Sequence, residues 1–529
     1  MFHQPASYLI PLTLLTVMGL SPLVVGQNQN RGADSTSARP AAPPASAPTA
    51  ARGDDDQPPA SAPAPLAPEQ EARIRAAAKE LANRYRPAAQ KIIAAARAGN
   101  DGYKKLEELC DDIGHRVSGS ANLERAIAWA QKKMRDDGQE NVRAEPVMVP
   151  KWVRGDESLE MLEPRPMKMA MFGNGNSIGT PPEGITAEVI AVHDADELET
   201  VKEKVKGRIV LFDYPMPTEN AERGAGDGPA VRYRGEGAAL AAKYGGLASL
   251  NRSATTHSLR SPHTGATRPN GPVPAASISV EDAAMISRLQ KRGIPVKVRL
   301  KMEAKMEPEP APSANVIGEL RGSEVPDEVV VIGGHIDSWD VGQGAHDDGG
   351  GICMSMEAIN VLRKLGLRPR RTIRVVCFTN EENGLAGGRA YAEQHASELG
   401  RHVAAIETDS GTFAPRGYGV SVNDPAAQLV AHAQLKELIA LLEPLGATEA
   451  NSGGGGADIG PMRPAGVPML GHSVDMTHYF DYHHTQADTL DKVSPKDMTD
   501  NVAALAIMSY VLADMPGKLG ETTRATATH

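Results

Sequence analysis

Residues 328–337, EVVVIGGHID, decide the fold. Four consecutive β-branched positions without polar alternation describe a strand covered on both faces, and such strands belong to parallel sheets. The run stops at two glycines and then presents His335-Ile336-Asp337. A glycine-rich turn follows, GQGAHDDGGG at 342–351, and it opens the helix-forming stretch 349–366, GGGICMSMEAINVLRKLG. The same unit recurs downstream. RTIRVVCFTN (371–380) is a second apolar strand and HVAAIETD (402–409) a third, with a helical stretch between them at 386–399 and another after them at 424–446. Strands alternating with helices predict an α/β fold, a mixed and largely parallel sheet sandwiched by helices.

The chemistry sits where these strands stop. The first ends in His335 and Asp337, the second in Glu381-Glu382, the third in Asp409. Ligands of open parallel sheets bind beyond the carboxyl ends of the strands, so three strands deliver imidazole and carboxylates to one edge. The turn 342–351 adds Asp347 and Asp348, and DYHHTQADT (481–489) adds His483 and His484. Each cluster alone reads as a turn, a capped strand end or a solvated loop. Their convergence on one edge reads as a metal site. Mixed imidazole and carboxylate donors suit zinc better than magnesium or calcium, which prefer oxygen alone. Three carboxylates and a hydroxide balance the charge of two Zn²⁺, and a pair of ions about 3.5–4 Å apart can hold and deprotonate a water between them. A further carboxylate must then accept that proton, so the adjacent pair Glu381-Glu382 offers one ligand and one base.

Outward from this core the texture changes. A chain of 529 residues exceeds one hydrophobic core, so several domains are expected. The stretches 68–85 and 87–100 and the segment 121–138 read as helices. The middle of the chain reads as short strands (184–192, 205–215, 273–280) around a helix at 235–246, and KMEAKMEPEPAPS (301–313) as a return linker. The resulting division is 1–26 leader, 27–68 Ala/Pro/Ser-rich tether, 69–159 first part of the main domain, 160–310 inserted domain, 311–517 main domain resumed and 518–529 tail. The helix from 494 opens with Ser494 as cap and Pro495 in the first turn.

An apolar stretch from Tyr8 to Gly26 ends in Val24-Val25-Gly26, a small-residue cleavage site. No Lys or Arg precedes it, and Pro11, Ser21 and Pro22 interrupt it. We expect a cleaved signal peptide and a secreted or periplasmic protein rather than an uncleaved anchor, and no stable membrane insertion. With 66 acidic against 56 basic residues and a net charge of -10, the chain lacks the basic surplus of a nucleic-acid binder. Its three cysteines fit neither a zinc finger nor a disulfide framework, and Cys353 and Cys377 read as small buried hydrophobes.

HIDSWDVGQGAHDDGGG (335–351), TNEENG (379–384), ETDSGTF (407–413) and HHTQADT (483–489) resemble the co-catalytic di-zinc aminopeptidase family, and further likeness runs through about residues 70–516. The resemblance implies a zinc exopeptidase fold with a protease-associated-type cap inserted at 160–310. It assigns His335 and Asp409 to one zinc, Glu382 and His484 to the other, and Asp347 to both. It makes Glu381 the general base and later the acid, and expects the Asp337 carboxylate to hold the second nitrogen of His335. His484 is preferred over His483 because it stands directly before Thr485. The bond Asp347–Asp348 is expected to be cis. Asp458, at the end of SGGGGADIG, and Tyr479 are placed beside the substrate. His346 stands where close members carry methionine, and we expect it to face the surface.

The implied activity is hydrolysis of short peptides, foremost unblocked dipeptides. The alternatives are an aminopeptidase for longer chains, a single-zinc glutaminyl-cyclase-like enzyme and a non-enzymatic scaffold. The oligomeric state is open, a homodimer included.

Overall fold

The computed structural model describes residues 65–218, 228–257, 259–269 and 271–522. The leader 1–26, nearly all of the tether and the tail beyond 522 lie outside the described residues. Among the described residues no helix is long and apolar enough to cross a membrane.

One eight-stranded sheet carries the chain's chemistry. Its order is Glu140–Val149, Ala311–Leu320, Arg371–Phe378, Val325–His335, His402–Glu407, Met469–Val474, Pro415–Ser421, Glu449–Ser452. The four central strands run parallel, while antiparallel pairings flank them on both sides. Register fixes the site. His335 stands opposite Phe378, three positions before Glu381, and Gly333 stands opposite Glu407, two before Asp409. The three strands therefore release their polar residues at the same level.

The helix Gly350–Lys364 is buried continuously from Gly350 to Leu362, which explains why its sequence is apolar all round. It lies in the main core with the helices Ala121–Asp136 and Pro495–Asp514. Residues 68–85 and 87–100 do not form separate helices. One helix, Pro68–Ala98, runs through Pro87. A proline inside a helix removes a backbone hydrogen bond and crowds the preceding turn. Here a single buried face of Ala78, Ala82, Tyr85, Ala89, Ile92, Ile93 and Ala96 continues across it and offsets that cost.

Between the strands Glu140–Val149 and Ala311–Leu320 the chain builds a second eight-stranded sheet. Its strands come from residues 157–302, and the helices Gly228–Lys243 and Val280–Lys291 pack on it. It has its own apolar core, including Leu159, Leu211, Leu250, Ile278 and Leu300. Trp152 and Trp339 meet edge to face there, 6.3 Å between ring centres, so a side chain from the first-sheet loop is built into the second core.

Candidate active site

His335 closes its strand with its side chain wholly buried. The turn carrying Asp347 comes back over it because Asp348 binds both pieces. One Asp348 oxygen accepts the His335 main-chain N–H and the other the Gly351 N–H, each at 3.1 Å, which also caps the helix Gly350–Lys364. This contact explains two glycines. A β-carbon at Gly334 would lie 1.8 Å from Asp348 Oδ2, and one at Gly351 would lie 2.2 Å from Oδ1. The peptide bond Asp347–Asp348 is cis.

The two oxygens of Asp347 face opposite partners. Oδ1 lies 3.2 Å from His335 Nε2, which is itself 3.7 Å from Asp409 Oδ1. Oδ2 lies 3.2 Å from His484 Nε2, which is 3.0 Å from Glu382 Oε2. Two half-sites, His335/Asp409 and His484/Glu382, thus share one carboxylate. His483 stacks on His484 at 3.6 Å and reaches Asp347 at 3.5 Å, but only His484 also meets Glu382.

Charge in this enclosure is mutually balanced. Burial alone would raise the Asp347 carboxyl, but His335 and His484 hold it well below its ordinary range. Burial opposes charge on His335, yet Asp347 and Asp409 hold its imidazole well above the usual value. Against burial, Glu382 and Asp347 raise His484 to about 9, and burial with Asp347 pushes Glu382 up to about 7. Burial, with Asp409, Glu382 and Asp337 nearby, raises Glu381 well above the carboxylate range.

The enclosure fits a metal. His335 Nε2, Asp347 Oδ2 and Glu382 Oε1 are buried atoms without a hydrogen-bond partner, a costly condition that coordination would relieve. Two clusters have their ligand atoms within 4.8 Å of one another, His335/Asp347/Asp409 and Asp347/His483/His484.

Two expectations need correction. The nitrogen Nδ1 of His335 is held by the main-chain carbonyl of Asp337 at 3.0 Å, while the Asp337 carboxylate stays 3.9 Å away. That carboxylate instead accepts the main-chain N–H groups of Glu381 (3.0 Å) and Glu382 (3.3 Å) and the hydroxyl of Ser118 (3.3 Å). Two amides at a turn can share one carboxylate, so Asp337 anchors the loop bearing Glu381. His346 does not face the surface. It is buried, stacked 4.2 Å from Phe413 and 5.8 Å from Tyr482, with Nδ1 accepting from the Thr412 N–H (3.2 Å) and lying 3.1 Å from the Thr412 hydroxyl. Its ring links the Asp347 turn to the segment bearing His484, and burial lowers its pKa to about 4.

Asp458 is buried, with both side-chain oxygens unpartnered, beside Glu407, whose carboxylate accepts the N–H groups of Asp458 (3.3 Å) and Ile459 (2.9 Å). Tyr479 is buried 4.9 Å from the His483 ring. Sequence reasoning missed Asp488, which accepts the main-chain N–H groups of His346 (2.7 Å) and Asp347 (3.2 Å) and so holds the shared carboxylate in place. Its signal was present: it belongs to the same HHTQADT segment as His484.

A metal-free chain should lose stability as pH rises from 7 to 9. His335 and His484 are raised in the folded state, so their stabilisation is full below about 6.5 and disappears as pH passes their folded values, about 9 for His484. Glu381 and Asp458, raised mainly by burial, act with the same sign. Below 6.5 the neutral buried His346 and His263, lowered by burial to about 4 and 3, pull the other way. Melting temperatures of chelator-treated protein across this range test the trend. Zinc should reverse it, because deprotonated ligands bind metal better.

Fold and site together define a metallopeptidase, and the chain belongs to peptidase family M28, whose family model matches residues 315–509. Among its relatives, carboxypeptidase Q of Bos taurus is 45% identical over 422 residues, 79% of this chain and 86% of the relative. The crystal structure of a peptidase M28 precursor from Shewanella amazonensis SB2B superimposes with a TM-score of 0.78 at 34% identity, covering 83% of this chain and 98% of that one. A zinc aminopeptidase from Bacillus subtilis shares the fold, with a TM-score of 0.57 at 19% identity over 79% of this chain and 96% of its own.

Proposed function

We propose that this chain is an exported zinc exopeptidase that hydrolyses short peptides, foremost dipeptides with free ends, using two zinc ions. The observation that carries this reading is the shared carboxylate: Asp347 turns one oxygen to His335 and the other to His484, 3.2 Å each. His335 and Asp409 would hold one ion, Glu382 and His484 the other, and Asp347 both. When bound, the zinc pair supplies a water that ionises near neutral pH and draws charge from the scissile carbonyl. Glu381 receives the proton of the attacking water and returns it to the leaving amine. Asp337 keeps Glu381 in place through the main chain of its loop.

Support for exopeptidase action comes from the likeness to carboxypeptidase Q over 86% of that relative's length. The second sheet then acts as a cap that limits the length of peptide admitted, with Asp458 and Tyr479 on the substrate side. Export rests on the apolar stretch Tyr8–Gly26. The test is a comparison of a dipeptide with a decapeptide of the same amino terminus. We expect kcat/KM for the dipeptide to be at least about tenfold higher, since a misfit of 1.4 kcal/mol in a closed pocket already gives that ratio. Chelator should abolish both rates and zinc restore them. Equal rates would replace the dipeptidase by an aminopeptidase of open specificity.

A further inference from the structure

The two half-sites differ in what holds their histidines. The ring of His335 is fixed from its own loop, by the Asp337 carbonyl. The ring of His484 is fixed from the second-sheet region. Its Nδ1 lies 3.2 Å from the main-chain oxygen of Thr264, and the Thr264 N–H donates back to the His484 oxygen at 3.0 Å. Arg234, on the helix Gly228–Lys243, donates Nη1–H to the same Thr264 oxygen at 3.2 Å and passes 3.3 Å from His484 Nδ1.

The tautomer follows from these contacts. When Nε2 is given to a metal between Asp347 and Glu382, a neutral His484 must carry its proton on Nδ1 and donate it to Thr264. Arg234 can only donate, so it cannot bond to that N–H, and its hydrogen goes to the second lone pair of the carbonyl. The Thr264 side chain is itself tied, donating to the Gly173 oxygen at 2.9 Å and accepting from Arg154 at 3.2 Å, while Arg154 grips Asp340 at 2.6 Å. Gly265 completes the arrangement. Its φ is +131°, and a β-carbon there would lie 2.4 Å from the Arg234 guanidinium carbon.

We infer that Arg234 and the Thr264 carbonyl are positioning groups for the Glu382/His484 half-site, so that the second-sheet region completes one metal position and not the other. This rests on the two-zinc reading. Groups that orient a ligating imidazole are worth about ten- to a hundredfold in metal affinity. Seating of the second-sheet region and filling of that position are then linked, each favouring the other.

The experiment is a Zn²⁺ titration of chelator-stripped full chain against a competing chromophoric chelator, beside melting of the metal-free protein. Wild type should take up two ions. Arg234→Met should weaken one of them about ten- to a hundredfold and leave the other within about twofold. Arg234→Lys, which still donates to the carbonyl, should recover part of the loss. Gly265→Ala should reproduce it by displacing the guanidinium. Combining Arg234→Met with His484→Ala should add nothing to His484→Ala alone, because both act on the same ion. Two ions bound normally by a folded Arg234→Met chain, or both weakened equally, would overturn the inference while the two-zinc reading stands. A single ion in wild type would remove that reading and the inference with it.

Discussion

Glu381→Gln should bind both zinc ions at wild-type affinity and turn over dipeptides about 10²–10⁴-fold more slowly, the range that proton transfer by a positioned side chain contributes. The amide matches the carboxylate in shape but cannot take a proton from water. The loop should survive the change, because Asp337 holds it through the main-chain N–H of residues 381 and 382 and not through the altered side chain. Metal content by atomic emission and kcat on a dipeptide decide the matter. A variant with two zinc ions and a near-normal rate would show that the proton goes elsewhere.

Asp347→Ala should be more severe. It removes the carboxylate that touches both half-sites, so zinc content should fall from two ions to less than one, and hydrolysis by on the order of 10⁴-fold or more, since water away from metal ionises near 15.7 rather than about 7. The metal-free variant should also melt earlier. His335 and His484 lose their shared counter-charge, and breaking a buried pair on one side typically costs about 3–5 kcal/mol. Asp409→Ala provides the contrast: it touches only the His335 side and should release one ion. Retention of two ions by Asp347→Ala would show that the carboxylate is not shared.

The sheet that carries the site was readable because its strands are apolar throughout and stop abruptly at polar residues. EVVVIGGH, RTIRVVCF and HVAAIE announce both the buried strand and its end, and parallel pairing places those ends together. His335, the pair Glu381-Glu382 and Asp409 stood out for that reason, whereas Asp347 and His484 lie in a turn and a loop and took their assignment from the family resemblance. What escaped were contacts made by the main chain. The Asp337 carbonyl holds His335, and the Thr264 carbonyl holds His484, yet any residue supplies a carbonyl, so neither leaves a mark in residue type. His346 was misplaced because a histidine in a glycine-rich turn resembles a solvated one, and only the fold brings Phe413 and Tyr482 against its ring. The continuous helix through Pro87 has the same origin, since its buried face is completed by the distant helices Pro425–Leu438 and Pro495–Asp514.

That last contact bears on the order of events during synthesis. Arg97 bonds to Asp500, 403 positions later, and Tyr85 bonds to Asp514, 429 positions later. The earliest described helix therefore keeps part of its oily side uncovered until translation is almost finished. A ribosome pausing just before residue 495 would hold a nascent chain whose site-bearing strands are all present but whose last helix is missing. Such a chain is a natural client for holding chaperones, and closure across so many intervening residues belongs to the slow end of folding.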